Sequence, residues 1–383
     1  MEAGMTLVIT EDTELGSDQL PATGIAVQFG APSVTLTITL TVLADVAVVS
    51  QDSIAIYSNE SGSVLNNHGD LLTGASFFSA VYFDGNFGRL TNETVGTITG
   101  ITNAVAMGSN GGDFTNHGTV RAIAGDGVSL FASTDSTLFN DGDIYGRESG
   151  VYTESGSSVI ENEGSITSHA WAILVSAGTA TILNRGTIEG STGGILVTGG
   201  ALKLTNAGTV DGDVNCSVAS GEDIVVNSGT IKGDVRLGGG NDVFNGAGGK
   251  SGIIFGQTGN DTLIGGKGGD VLSGGLDSDV FKFVRVNEIG KGNARDVIAD
   301  FNDVEGDQID LDVIDAKKGP GNQDFHFIGK QGFHHKAGEL HVLNKGGGFL
   351  LVEGDINGDG KADFQIEVHS NAPLEKIDFL GVF

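Results

Sequence analysis

The chain is poor in the residues that staple or stiffen a fold. Its 383 residues include one cysteine, Cys216, so no internal disulfide can cross-link it. Four prolines exclude a proline-rich linker, and 64 glycines without that proline exclude a collagen-like rod. Positive charge is scarce as well. Twenty Lys and Arg face 49 Asp and Glu, for a formal charge of −29, and none of the twenty precedes Arg89. Such a carboxylate excess makes nucleic acid and anionic membranes poor partners, so no nucleic-acid role is expected. It makes a hard cation such as calcium a good partner. The N-terminus lacks the basic-then-apolar pattern of a secretory leader, so a cleaved leader is not expected. The stretch SVTLTITLTVLADVAVV at 33–49 is too short and too threonine-rich for a membrane helix.

What the chain does have is repetition. The pattern Asn-x-Gly-x-(Ile/Val/Leu) occurs at Asn67, Asn116, Asn140, Asn162, Asn184, Asn206 and Asn227, with a looser copy at Asn92. From Asn92 onward the asparagines step by 24, 24, 22, 22, 22 and 21 residues. Short alternating runs such as GGILVTGG (193–200) and ALKLTN (201–206) lie between them and read as strands. No segment reads as a helix of ten residues or more. About three strands and three turns fit each unit of roughly 22 residues, which predicts the coils of a parallel β-helix. Asparagine suits the turns and can hydrogen-bond along the stack, and the following glycine is expected to supply backbone freedom. Residues 1–30 are expected to form an end cap or irregular segment, with the β-helix over 31–236.

A second period of nine residues begins near 237. Consecutive copies GQTGNDTLI (256–264), GGKGGDVLS (265–273) and GGLDSDVFK (274–282) follow an earlier copy, LGGGNDVFN (237–245). Between them AGGKSGIIF (247–255) has lost its aspartate to Gly252. These copies fit the glycine-aspartate nonapeptide G-G-x-G-x-D-x-U-x, where U is a large apolar residue.

In these repeats the chain resembles the repeats-in-toxin proteins, and beyond them the C-terminal domain of serralysin-type secreted proteins. The resemblance implies a parallel β-roll over 237–283, with two nonapeptides per coil and turns 18 residues apart sharing calcium ions. The implied turn ligands are backbone or side-chain oxygens of Gly238, Gly240, Asp242, Gly256, Thr258, Gly259, Asp261, Gly265, Lys267, Asp270, Gly274, Leu276 and Asp279. Asp242, Asp261 and Asp279 fall on one side. The other side has Gly252 where an aspartate belongs, so unequal sides and a poorly partnered Asp270 are expected. RDVIADFNDVEGDQIDL (295–311) looks like the segment that follows such a roll, with Asp296 and Asp300 as outer calcium ligands. Residues 284–383 are then a β-sheet cap, and the ending LEKIDFLGVF (374–383) is similar to an uncleaved type I secretion signal. DINGDGKAD (355–363) has calcium-loop spacing at Asp355, Asn357, Asp359 and Asp363. Ile366 stands where an EF-hand needs glutamate, and a hairpin turn explains the loop equally well.

Serralysins carry a zinc peptidase, but no HExxH occurs here and the eight histidines are scattered. The enzyme alternative is a polysaccharide lyase or epimerase acting on polyuronates through the β-helix. Such chemistry needs a base and cationic stabilisation. Arg121, Arg147 and Arg185 stand at offsets 5, 7 and 1 from their repeat asparagines, so they should point in different directions. The expected protein is all-β: a right-handed parallel β-helix running into a calcium-binding β-roll with a β-sheet cap. It is expected to be extracellular or surface-associated, exported by type I machinery, folded by calcium, and to meet extracellular polysaccharide or cell surfaces in a matrix or adhesion role.

Overall fold

The structure is a computed structural model. It describes residues 5–9, 13–15, 27–29, 38–51, 53–59, 61–74, 77–108, 111–131, 135–154 and 156–383. Most of the expected N-terminal cap therefore lies outside the described residues. The protein is an all-β solenoid of stacked parallel strands, and its contacts divide it into two compact units. The first holds residues 1–204 and 208–213, the second 205–207 and 214–383.

In the first unit each coil contributes three short strands. Ser157–Asn162, Ser165–Ser168 and Trp171–Val175 make one coil, and Thr179–Asn184 opens the next. Successive coils pair in parallel and in register, with Asn162 opposite Asn184, Ile166 opposite Ile188 and Ile173 opposite Ile195. Alternation along each strand sends one set of side chains inward. Ile160, Ile166, Ile173, Ile182, Ile188 and Ile195 are all fully buried. Stacked β-branched side chains suit this interior because each copy packs on an identical neighbour.

The repeat asparagines form a buried ladder along this unit. Asn67 Nδ2 donates to Asn92 Oδ1 at 2.8 Å, and the same bond links Asn92 to Asn116, Asn116 to Asn140, Asn140 to Asn162 and Asn162 to Asn184. Each amide also donates to backbone carbonyls at its own turn and the next, as Asn140 does to Gly142 O and Ser165 O. The glycine two places on is needed for a different reason from the one expected. Gly118, Gly142, Gly164 and Gly186 do not take positive φ. A Cβ on any of them would collide with the carbonyl oxygen of the glycine one coil back, Gly96, Gly118, Gly142 and Gly164 respectively. Close stacking of turns, rather than backbone freedom, excludes side chains there.

In the second unit the coil shortens to two strands. Val243–Asn245, Thr262–Ile264, Val280–Lys282 and Gln308–Asp310 stack in parallel on one side. Val235–Gly239, Ile254–Thr258, Val271–Leu276 and Asp296–Phe301 stack on the other. Phe244, Leu263, Phe281, Ile254 and Leu272, the apolar positions of the nonapeptides, are fully buried between them. The second sheet continues through Phe364–Ser370, parallel to Asp296–Phe301, then antiparallel through Phe349–Asp355 and Glu339–Gly346. Helix is confined to Val286–Ile289 and two 3-10 turns, and no described helix is long and apolar enough to cross a membrane.

Candidate metal centre

Apart from an ordinary φ at Gly266, each aspartate-bearing nonapeptide turns through backbone conformations that few side chains tolerate. Its second position has φ of 106° at Gly238, 85° at Gln257 and 108° at Gly275. Its fourth has φ of 136° at Gly240, 114° at Gly259, 117° at Gly268 and 77° at Asp277. Alternating left-handed and extended residues curl the chain tightly, and glycine is the residue for which this is cheap. Gln257 and Asp277 occupy the same conformations with a side chain.

The aspartate at the sixth position enters the body of the coil. Asp242, Asp261, Asp270 and Asp279 are buried, each two residues before a buried apolar side chain. On one side they form a ladder. The amide of Asp242 donates to Asp261 Oδ1 at 2.8 Å, and that of Asp261 to Asp279 Oδ1 at 2.9 Å. The ladder runs further than the nonapeptides do. The Asp223 amide donates to Asp242 Oδ1 at 2.7 Å, and the Asp279 amide to Asp307 Oδ1 at 2.9 Å. Asp223 and Asp307 were missed in the sequence because their surrounding glycines are mostly lost. The surviving signal is aspartate followed two places later by a core residue, Asp223 by Val225 and Asp307 by Ile309, both fully buried.

In Asp242, Asp261 and Asp279 one oxygen is thus occupied by a backbone amide, and the other is not. Oδ2 of Asp242, Asp261 and Asp279 is buried without any hydrogen-bond donor. In Asp261 and Asp279 that oxygen is directed at Gly256 and Gly274, the first residues of their own repeats, where a Cβ would overlap it. Burial pushes these carboxyls upward, Asp242 to about 6, Asp261 to about 7 and Asp279 to about 8, and neighbouring carboxylates add to the rise. A buried acceptor without a donor costs about 1–3 kcal/mol, and more when charged. Three such oxygens in one row, beside glycine turns that leave room, suit a hard cation that takes six to eight oxygens. The residues present fit calcium.

The opposite side is shorter, as Gly252 implies, but Asp270 is better partnered than expected. Its amide donates to Asp296 Oδ1 at 2.9 Å, so Asp296 is the next rung of this row. Asp300 takes the Ser273 hydroxyl at 2.6 Å and the Gly274 amide at 3.0 Å, pinning the start of a repeat. The loop 355–363 is the turn of an antiparallel hairpin. Asp355 accepts amides of Gly358 and Gly360, and Asp363 accepts those of Ile356 and Asn357. Asn357 and Asp359 each accept an amide two residues on. This loop is held by its own hydrogen bonds. Among the described residues no three Asp, Glu, His or Cys side chains already converge as a cage, so backbone oxygens would have to share in holding any ion.

On the first unit the arginines diverge as their offsets imply. Arg121 lies over the Tyr145 ring at 4.8 Å, whereas Arg185 pairs with Glu163 at 3.2 Å.

No protein-family model matches the chain, and no curated protein matches it. Among solved structures, the chain is similar to the AlgE6R3 subunit of the mannuronan C5-epimerase from Azotobacter vinelandii. The two are 22% identical over 42% of this chain and 77% of that one, with a TM-score of 0.24. A likeness that distant says nothing of what the present chain binds.

Proposed function

We propose that this chain is a secreted, calcium-binding β-solenoid of the repeats-in-toxin kind, folded by calcium once outside the cell. The observation that carries the reading is the row of buried Oδ2 atoms on Asp242, Asp261 and Asp279 that no protein donor satisfies. Calcium would supply positive charge and take these oxygens together with turn carbonyls of residues such as Gly256, Thr258, Gly274 and Leu276. Without it, the stacked carboxylates repel one another in a site that excludes water, and the roll is disfavoured. A chain that stays unfolded where calcium is scarce is suited to passage through a type I exporter. Calorimetry and circular dichroism of the whole chain, with calcium and with a chelator, test this. A calcium-dependent transition is expected, and identical melting in both conditions overturns the proposal.

The β-helical unit we read as a surface or matrix scaffold rather than a lyase or epimerase. Its charged side chains are spread around the coil, with Arg121 on Tyr145 and Arg185 on Glu163, which supports a scaffold. Binding to extracellular polysaccharide or cell surfaces without turnover is expected. Cleavage or epimerisation of alginate or pectate, abolished by one Arg or carboxylate substitution, would reverse the assignment.

A further inference from the structure

The sheet cap holds a cavity of about 240 Å3 whose walls include no residue of the aspartate rows. One side of it is a face of the hairpin Glu339–Gly346 and Phe349–Asp355, where Val342 and Leu350 are buried and Asn344 stands opposite Leu350. Phe327, its ring 5.6 Å from that of Phe379, and the buried Leu374 complete the apolar lining.

The polar groups at this cavity are donors. Lys330 and Lys376 both line it, both are exposed, and neither has a carboxylate partner among the described residues. Asn344 Oδ1 accepts the Gly346 amide at 2.7 Å, which leaves the side-chain NH2 free to donate. The acidic lining residue, Glu375, is turned to the backbone: its carboxylate takes the Asp378 amide, while Asp378 takes the Glu375 amide at 2.7 Å. In a chain of formal charge −29, two uncommitted ammonium groups therefore meet beside an apolar hole. Ammonium and amide donors suit anionic oxygens.

Size narrows the occupant further. Apolar cavities stay dry but take hydrocarbon; one of about 150 Å3 holds benzene, so this one accommodates a tail of about eight carbons. It falls below the range of about 300–1,000 Å3 typical of drug-sized ligands, which excludes a peptide segment or a sugar chain.

We propose that this cavity binds a medium-chain fatty carboxylate, its tail between Phe327, Val342, Leu350 and Leu374 and its head at Lys330 and Lys376. The site uses none of the carboxylates of the roll and stands or falls apart from the calcium reading.

Titration calorimetry of the whole chain in excess calcium, with octanoate, octan-1-ol, octylammonium and acetate, tests it. Running each titration at two temperatures ensures that a vanishing heat is not mistaken for absent binding, because apolar burial makes the heat temperature-dependent. One octanoate per chain is expected, with octan-1-ol at least about tenfold weaker because it forms no charge-assisted hydrogen bond. Acetate, which lacks the tail, and octylammonium, which carries the wrong charge, should not bind measurably. Lys330→Ala and Lys376→Ala should each weaken octanoate about tenfold, leave octan-1-ol unchanged and melt as the wild type does without ligand. Octanoate bound no more tightly than octan-1-ol, or bound equally well by both lysine variants, reduces the uptake to unspecific apolar contact and overturns the site. Absence of octanoate binding at millimolar concentration overturns it as well. Should a lysine variant not fold, the comparison of octanoate with octan-1-ol on the wild type decides alone.

Discussion

Single residues in the roll carry opposing demands, and substitutions should separate them. Asp261 holds the Asp242 amide through one oxygen and leaves the other buried and unsatisfied. Asn at this position keeps the acceptor and removes the charge. Asp261→Asn should therefore melt higher than wild type in chelator and bind calcium at least about tenfold more weakly, a loss near 1.4 kcal/mol. Paired melts with and without calcium check this. Gly256→Ala should abolish the same site by placing a methyl on Asp261 Oδ2. In the opposite direction, Gln257 and Asp277 sit at φ of 85° and 77°, a region costing an L-residue about 1–2 kcal/mol. Allowing for the flexibility glycine adds to the unfolded chain, Gln257→Gly and Asp277→Gly should each stabilise by about 0.5–1 kcal/mol in urea unfolding. The nonapeptide pattern made Asp242, Asp261 and Asp279 legible. It could not reveal Asp223 or Asp307, because only coil stacking brings them against their partners.

At the scale of the element, the asparagine ladder behaves as one continuous hydrogen-bonded column, and a central break should be costly. Asn140→Leu leaves the Asn116 amide without its acceptor and Asn162 Oδ1 without its donor, both buried. At about 1–3 kcal/mol for each orphaned group, a loss of about 2–6 kcal/mol is expected in equilibrium urea unfolding. Gly142→Ala should be comparably harmful although its φ is ordinary, because the methyl meets the Gly118 carbonyl. The 22-residue period exposed the ladder and its three-stranded coil. It did not expose why glycine follows, since turn-on-turn distance is not a property of one repeat. The hairpin at 355–363 shows the same limit, since its spacing did not reveal that Asp355 and Asp363 accept the loop's own amides.

For the molecule as a whole, the aspartate rows should set the response to pH. Asp242 and Asp307 are raised to about 6, Asp261 to about 7, and Asp279 and Asp296 to about 8. Between about pH 4 and 8 the calcium-free folded protein then binds more protons than the unfolded chain. Its stability should fall as pH rises through that window and level off above about 8. With calcium bound the same carboxylates must stay ionised, so stability should instead be lost on acidification. Tm against pH, measured in chelator and in excess calcium, should give curves of opposite slope, and curves of equal slope would refute the cation role of both rows.

The sequence by itself determined the all-β coil, because strand alternation, turn glycines and the two periods are local and repeated. It also determined the imbalance between the two rows of the roll, since Gly252 interrupts one of them. Tertiary structure alone decided where each carboxylate ends. Stacking turned spaced aspartates into ladders and carried one ladder past its motif to Asp223 and Asp307. It also gave Asp270 a partner in Asp296. Those contacts join residues 18 to 28 apart through backbone amides one coil away, and no local pattern encodes which amide a carboxylate will meet.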